Sequence, residues 1–158
     1  MSILALDIAT KTGWAHTDGS SGVWNFSKRK TSALKVHSLY ESLSELVEWL
    51  PFSHIVAESV HYGFLTATAL LNQYRGAVMA WCVNKEVEFI ENSKLYTATA
   101  IKKWSTGKGH ASKDEMIERA NKLKLASAAP LRGSRIITDD NEADAICLLH
   151  YHQSLAAV

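Results

Sequence analysis

Three acidic residues stand where a folded chain can gather carboxylates around metal ions. Asp7 and Glu58 each end a short apolar run, and Asp144 directly precedes another. Mg²⁺ prefers carboxylate, water and phosphate oxygens as ligands. Two such ions about 3.5–4 Å apart can activate a water molecule and stabilise the leaving oxygen when a phosphodiester bond is cleaved. The pattern therefore indicates metal-dependent phosphodiester chemistry, provided that the fold brings the three acids together.

Such a site needs a fourth oxygen ligand, and the segment around Asp144 offers two candidates. Residues three or four positions apart share a helix face, so Asp140 and Asn141 can join Asp144, whereas Glu142 points roughly the other way. We favour Asp140, with Asn141 as a neutral alternative. Asp139 or Asp140 can instead cap the N-terminus of the helix, and that role is sufficient to explain one of the two.

The charge distribution supports a nuclease. The 158 residues carry a formal charge of only +1. Residues 94–135 nevertheless hold ten basic and three acidic side chains, a local balance of +7, which leaves −6 for the rest of the chain. Cations neutralise nucleic-acid phosphates and carboxylates bind metal ions. A basic segment beside the acidic residues 139–144 is therefore typical of a nuclease, although a charge run alone is more typical of a solvated helix face.

Composition excludes several classes of protein. With 47% hydrophobic and 21% charged residues, the chain is expected to form one globular domain over residues 1–158 rather than a large two-domain enzyme or a disordered protein. No apolar run approaches the roughly 20 residues of a membrane span, and the N-terminus lacks the basic segment of a secretory signal. Cys82 and Cys147 lie in apolar segments without metal-type spacing, which predicts buried thiols and a cytoplasmic location.

The elements that must position the acids follow from hydrophobic periodicity and turn residues. Strands are predicted at residues 2–7, 14–17, 22–26, 54–58 and 86–91. Helices are predicted at residues 32–50, 64–83, 97–104, 112–125 and 140–155. A turn is expected at residues 10–13, and a capping box of Ser112 and Glu115 opens the fourth helix.

The predicted order of elements is β-β-β-α-β-α-β-α-α-α. This order is typical of an α/β domain with a mixed sheet, in which three antiparallel strands precede the parallel ones. Ligands bind such sheets at the carboxyl ends of the strands. Asp7 and Glu58 would meet there, and the last helix would add Asp144.

Four motifs of the chain resemble those of the RuvC-type Holliday-junction resolvases: ILALDIATKTGWA, IVAES, GKGHASKDEM and DDNEADAICLLHYH. They stand in the family's order and spacing and extend over almost the whole chain. The resemblance implies an RNase H-like fold with a mixed five-stranded sheet flanked by helices. It also implies a homodimeric, Mg²⁺-dependent endonuclease that resolves four-way DNA junctions by paired symmetric nicks. Two Mg²⁺ ions, with Mn²⁺ as a substitute, are expected.

Carried over by position, the resemblance makes Asp7, Glu58 and Asp144 the catalytic metal ligands. The family's fourth ligand, an Asp or His, stands where this chain has Asn141. Either Asp140 has taken that role, or the second ion is held more weakly. This departure and the small size suggest a phage or viral branch of the family. Lys113 resembles a family cation near the junction phosphates, where it would stabilise the reacting phosphate or orient the water, although an ordinary first-turn lysine explains it as well.

Further residues are expected to contact DNA. The basic ones are Lys102, Lys103, Lys108, Lys113 and Arg75. In the resemblance, an aromatic side chain between Glu58 and the long helix enters the junction centre, which points to His61, Tyr62 and Phe64. Base–aromatic stacking contributes roughly 1–3 kcal/mol per base. Phe64 can alternatively belong to the core.

The long helix at residues 64–83 resembles the family's dimer helix, in which Gly76 and Ala77 would allow two copies to approach closely. The same helix can instead be buried within the monomer, and both interpretations can hold on different faces.

Two other functions remain open from the sequence. The first is an RNase H-like nuclease acting on RNA ends, against which the basic segment and the aromatic loop favour branched DNA. The second is a non-catalytic branched-DNA-binding protein that has lost its fourth ligand at Asn141. An ATPase phosphate loop near Asp7 is disfavoured, because such enzymes need two domains of this kind.

Overall fold

The computed structural model of the protein describes residues 1–59, 65–90, 94–126 and 135–156. The strands are β1 Ile3–Asp7, β2 Lys11–His16, β3 Ser21–Asn25, β4 His54–Ala57 and β5 Glu88–Ile90. The helices are α1 Ser32–Trp49, α2 Leu65–Lys85, α3 Ala98–Thr106, α4 Lys113–Ala126 and α5 Asp140–Ala156. The predicted order of elements is confirmed.

The five strands form one mixed sheet in the order β3-β2-β1-β4-β5. The pairs β1–β2 and β2–β3 are antiparallel, whereas β1–β4 and β4–β5 are parallel. The predicted five-stranded sheet is therefore confirmed. Because β1 and β4 run in the same direction, both end at one edge of the sheet, which is here called the carboxyl edge.

Side-chain alternation along β1 divides the core into two layers. Leu4 and Leu6 face one side of the sheet, where they pack with α1 and α2. Ile3 and Ala5 face the other side, where they pack with residues of α3, α4 and α5. Helices thus cover both faces of the sheet, as an α/β domain with parallel strands requires.

The helices begin where their capping residues allow. Thr31 caps α1 by accepting a hydrogen bond from the Leu34 amide at 3.2 Å. The capping box before α4 is confirmed, since the Ser112 amide donates to Glu115 at 2.8 Å and the Glu115 amide donates to the Ser112 hydroxyl at 3.3 Å.

Cys82 and Cys147 are both buried and form no disulfide, as predicted. In the described part of the chain, no helix has the length and apolarity that crossing a membrane requires.

The predicted turn at residues 10–13 is wrong. Lys11, Thr12 and Gly13 belong to β2 and pair with residues of β3. Thr12 is fully buried, and its hydroxyl donates to the Ala9 carbonyl at 2.6 Å, so the reversal is completed before residue 11. Polar and glycine residues indicated a turn, but here they serve close packing inside a strand.

Candidate active site

Asp7 and Glu58 lie side by side at the carboxyl edge. Leu6 of β1 pairs with Ala57 of β4, so the two acids take the next position on neighbouring strands, and neighbouring strands lie about 4.8 Å apart. Because Leu6 faces the α1 side of the sheet, alternation directs Asp7 toward the α5 side.

Helix α5 begins directly beside β2. A Cβ atom on Gly13 would overlap the carbonyl group of Asn141 and would lie 2.9 Å from the amide nitrogen of Glu142. Only glycine therefore permits this backbone approach. The contact places the first turns of α5, with Asp140 and Asp144, against the strand that follows Asp7.

The first turn of α5 is held by Asp139. One carboxylate oxygen of Asp139 accepts hydrogen bonds from the Asn141 amide at 2.9 Å and the Glu142 amide at 3.4 Å. Lys11 forms an ion pair with the same carboxylate. Asp139 is therefore the cap, and Asp140 is left for another role. The Lys113 ammonium group lies 2.5 Å from Asp140.

Burial and mutual repulsion raise the pKa of the gathered carboxylates. The pKa of Glu58 rises to about 7, mainly through burial and then through Asp144, while Lys102 opposes the shift. Burial likewise raises the pKa of Asp144 to about 6 against the opposing charge of Lys102. The pKa of Asp7 is well above its usual range because of burial, followed by the charges of Asp144 and Glu58. The site therefore favours the arrival of a cation.

The donor set fits a divalent ion that is shared with substrate. Among the described residues, no three acidic, histidine or cysteine side chains stand close enough to enclose an ion by themselves. Mg²⁺ does not need such a cage, since it usually binds through one or two carboxylates and keeps water and phosphate oxygens. Asp7, Glu58 and Asn141 line an open cleft of about 340 Å³, which leaves space for such ligands.

Comparison with known proteins decides the family. The sequence model of the family described as Crossover junction endodeoxyribonuclease RuvC matches residues 10–150. The chain belongs to the RuvC family. A RuvC from Chlorobium phaeovibrioides is 30% identical over 141 residues, which are 82% of this chain and 72% of that protein.

Solved RuvC-like structures share the fold. Thermus thermophilus RuvC, solved in complex with a Holliday junction substrate, matches with a TM-score of 0.77 at 17% identity, over 99% of this chain and 94% of that one. The yeast mitochondrial Holliday junction resolvase Ydc2 matches with a TM-score of 0.58 at 13% identity, over 98% of this chain and 80% of that one. The predicted RNase H-like architecture of the RuvC type is thus confirmed.

The predicted DNA-contacting cations take different places in this RuvC fold. Lys102 acts on the pKa of both Glu58 and Asp144 and therefore belongs to the site. Lys103 on the same helix is exposed. Lys108 lies 2.6 Å from Glu115 in an exposed ion pair. Arg75 is half-buried, donates to the Glu58 carbonyl at 3.2 Å and lines the cleft, so it also supports the end of β4. His61, Tyr62 and Phe64 lie outside the described residues.

Glu142 points away from the site, as its helix position predicted. Its side chain is 1% exposed. It accepts hydrogen bonds from Arg135 at 2.5 Å and from the Ser21 hydroxyl at 2.7 Å. The first turn of α5 thus carries Asp140, which is a candidate for the site, and Glu142, which binds Arg135 and Ser21 away from it.

Sequence reasoning missed two features of the site. The need for glycine at position 13 arises only from the tertiary contact with Asn141, so the neighbouring residues in the sequence do not indicate it. The ion pair of Lys11 with Asp139 joins residues that are distant in the chain, and neither residue indicates the other by its neighbours.

Proposed function

We propose that this RuvC-family protein is a metal-dependent endonuclease that resolves Holliday junctions by paired symmetric nicks. The observation that carries the proposal is the convergence of Asp7, Glu58 and Asp144 at the carboxyl edge of a RuvC-type sheet. The structural relative from Thermus thermophilus was solved with a Holliday junction substrate. We assign Holliday junctions as the substrate of this chain as well. The chain is proposed to act as a homodimer in which each subunit is a single domain.

Asp7, Glu58 and Asp144 are proposed to hold two Mg²⁺ ions, with Asp140 completing the set. When bound, Mg²⁺ or Mn²⁺ would activate the attacking water and neutralise charge on the reacting phosphate. The chain's own contribution is to place the carboxylates before the substrate arrives. The raised pKa values of Glu58 and Asp144 support this role, because closely spaced carboxylates that repel each other favour a cation between them.

Lys113 is proposed to contact the reacting phosphate of the DNA. Its side chain is 79% exposed, and its ammonium group lies 2.5 Å from Asp140. A lysine in this position can hold Asp140 in place and can donate to a phosphate oxygen on which negative charge increases. Lys102 is proposed to contribute positive charge to the same phosphate, because its charge already opposes the rise in the pKa of Glu58 and Asp144.

Helix α2 is proposed to form the dimer interface. Its inner face packs Tyr74, Val78 and Trp81 into the core. Its outer face carries a stripe of exposed and mostly small residues: Ala69, Asn72, Gln73, Gly76, Ala80 and Val83. Open space surrounds the position that a Cβ on Gly76 would occupy. A two-fold axis along this stripe would bring two α2 helices together and match the symmetry of a junction.

A junction-cleavage assay tests the proposed function. The purified protein is incubated with a synthetic four-way junction in Mg²⁺, and the strands are mapped on a denaturing gel. We expect paired nicks at symmetric positions from the unmodified protein. Asp7→Asn is expected to bind the junction with unchanged affinity and to cleave it at least 100-fold more slowly. Cleavage by this variant at the normal rate would show that the site is elsewhere.

The same assay separates the two alternatives. Linear duplex DNA and an RNA substrate with a 3′ extension are incubated in parallel. Preferential trimming of the RNA end would favour an RNA-processing nuclease. Junction binding without cleavage in either Mg²⁺ or Mn²⁺ would favour a non-catalytic binder.

A further inference from the structure

Three consecutive cations, Lys28, Arg29 and Lys30, connect β3 to α1 and are here called the basic rim. All three are exposed. Among the residues that the structure describes, none forms an ion pair with them. The first turn of α1, which follows them, contains no acidic residue. Their charge is therefore available to an external anion.

The basic rim lies at the same edge of the sheet as the catalytic acids. The Phe26 amide donates to the Thr10 carbonyl at 2.8 Å, and the Arg29 amide donates to the Phe26 carbonyl at 3.0 Å. These bonds connect the rim to the loop that follows Asp7. In the strand order β3-β2-β1, Val23 of β3 is level with Asp7, two strands away, which corresponds to about 10 Å across the sheet. The rim begins five residues after Val23, so it lies at least this far from Asp7.

Acidic residues limit the route that a nucleic acid can take beyond the basic rim. Arg29 stands at one end of a groove of about 550 Å³ between β3 and α1. Glu41 and Glu45 line the same groove from α1. These carboxylates would repel phosphates, so a DNA strand that reaches Arg29 must cross the carboxyl edge and cannot follow α1.

We propose that the basic rim binds backbone phosphates of the DNA arm at least three base pairs from the cleaved bond. This minimum follows from the offset of at least about 10 Å between the rim and Asp7 and the rise of about 3.4 Å per base pair along one strand. The proposal rests on the proposed junction-resolving function and adds a binding site to it. The rim would hold the arm in line with the carboxylates without reading its sequence, since phosphate contacts position DNA and base contacts specify it.

The salt dependence of junction binding tests the proposal. The variant Lys28→Ser/Arg29→Ser/Lys30→Ser and the unmodified protein are titrated with a labelled junction by fluorescence anisotropy at about 50–200 mM salt, in EDTA. Each phosphate that a cation neutralises adds about 0.9 to the slope of log affinity against log salt. Because the proposed homodimer carries two rims, the triple variant loses six phosphate contacts, and its slope should fall by about 5.4. Over the fourfold rise in salt, binding by the unmodified protein should therefore weaken about 2,000-fold more than binding by the variant. An unchanged slope would overturn the proposal.

Single-charge controls make the result specific. Lys85 is exposed and ends α2 just before β5, so it lies at the opposite edge of the sheet. Lys85→Ser should leave the slope unchanged, whereas Arg29→Ser should lower it by about 1.8, which is about 0.9 for each protomer of the dimer. Glu41→Gln should have no effect on affinity. Equal slope changes in the two cation variants would indicate a general charge effect and would contradict the proposal.

Neutral methylphosphonate linkages locate the contact. Placed three to six nucleotides from the cleavage site, they should weaken binding by the unmodified protein but have little further effect on the triple variant. Additive losses would place the rim's contact elsewhere and would overturn the proposal. Cleavage of the junction by the triple variant in Mg²⁺ at low salt would preserve the proposed function even if the rim failed every test.

Discussion

Glu58→Gln is expected to stabilise the metal-free protein at alkaline pH. The pKa of Glu58 is about 7 in the fold, against an ordinary value of 4.5. At pH values below 4.5, the Glu58 carboxyl is protonated in both the folded and the unfolded chain, so it has no effect on stability. As the pH rises toward 7, the unfolded chain releases its proton first, so the stability of the unmodified protein falls. Above pH 7 Glu58 is ionised in the folded chain as well, and the full free-energy cost of ionising it there lowers the stability of the protein.

The size of this effect follows from the shift. At about 1.36 kcal/mol for each pKa unit, ionising Glu58 in the fold costs roughly 3 kcal/mol at pH 8 and less than about 1 kcal/mol at pH 5. Glutamine carries no charge and avoids the cost. The variant should therefore exceed the unmodified protein in free energy of unfolding by roughly 2–3 kcal/mol at pH 8. At pH 5 the two proteins should differ little.

Urea denaturation followed by circular dichroism measures this difference. Unmodified protein, Glu58→Gln and Glu48→Gln are compared at pH 5 and pH 8 in EDTA. Glu48 is exposed on α1 and serves as the control, for which no pH-dependent gain is expected. Saturating Mg²⁺ should reduce or reverse the advantage of Glu58→Gln, because the ion stabilises the protein that binds it better. A variant no more stable than the unmodified protein at pH 8 in EDTA would refute this reasoning.

Three further outcomes are expected. Gly13→Ala should push the start of α5 away from β2, because its methyl group meets the Asn141 carbonyl; denaturation should show a loss of about 1–3 kcal/mol, and cleavage should fall more than junction binding. Asp140→Asn should slow Mg²⁺-dependent cleavage at least 100-fold and Asn141→Ala less than 10-fold; the opposite order would assign the fourth ligand to Asn141. Ala80→Glu should yield a monomer in analytical ultracentrifugation, and an intact dimer would exclude the outer face of α2 as the interface.

The sequence predicted the elements well because each carries its own local signal. The apolar stripe of α1 and the capping box before α4 depend on neighbours a few residues away, and both are present as predicted. The start of β2 was missed because Lys11, Thr12 and Gly13 resemble a turn in composition. Their place in a strand depends on pairing with β3 and on the burial of Thr12, neither of which leaves a local signal.

The site was predictable in its acids but not in their electrostatic partners. Asp7 and Glu58 are recognisable because each ends a buried apolar run, and neighbouring parallel strands end together. Whether Asp139 or Asp140 caps α5 could not be decided from adjacent letters. It depends on Lys11, which is 128 residues away in the chain.

The ion pairs of α5 also determine how DNA is expected to approach the protein. Asp139, Asp140 and Glu142 each have a basic partner, in Lys11, Lys113 and Arg135. Their charges cancel within a few ångströms, well inside the screening length of about 10 Å at 0.1 M salt. A distant junction is therefore repelled little by these three acids, and it meets the repulsion of Asp7, Glu58 and Asp144 only on contact. The association rate constant should depend steeply on monovalent salt and only weakly on whether the catalytic metal is bound, because the metal acts when the reacting phosphate is seated, after the encounter.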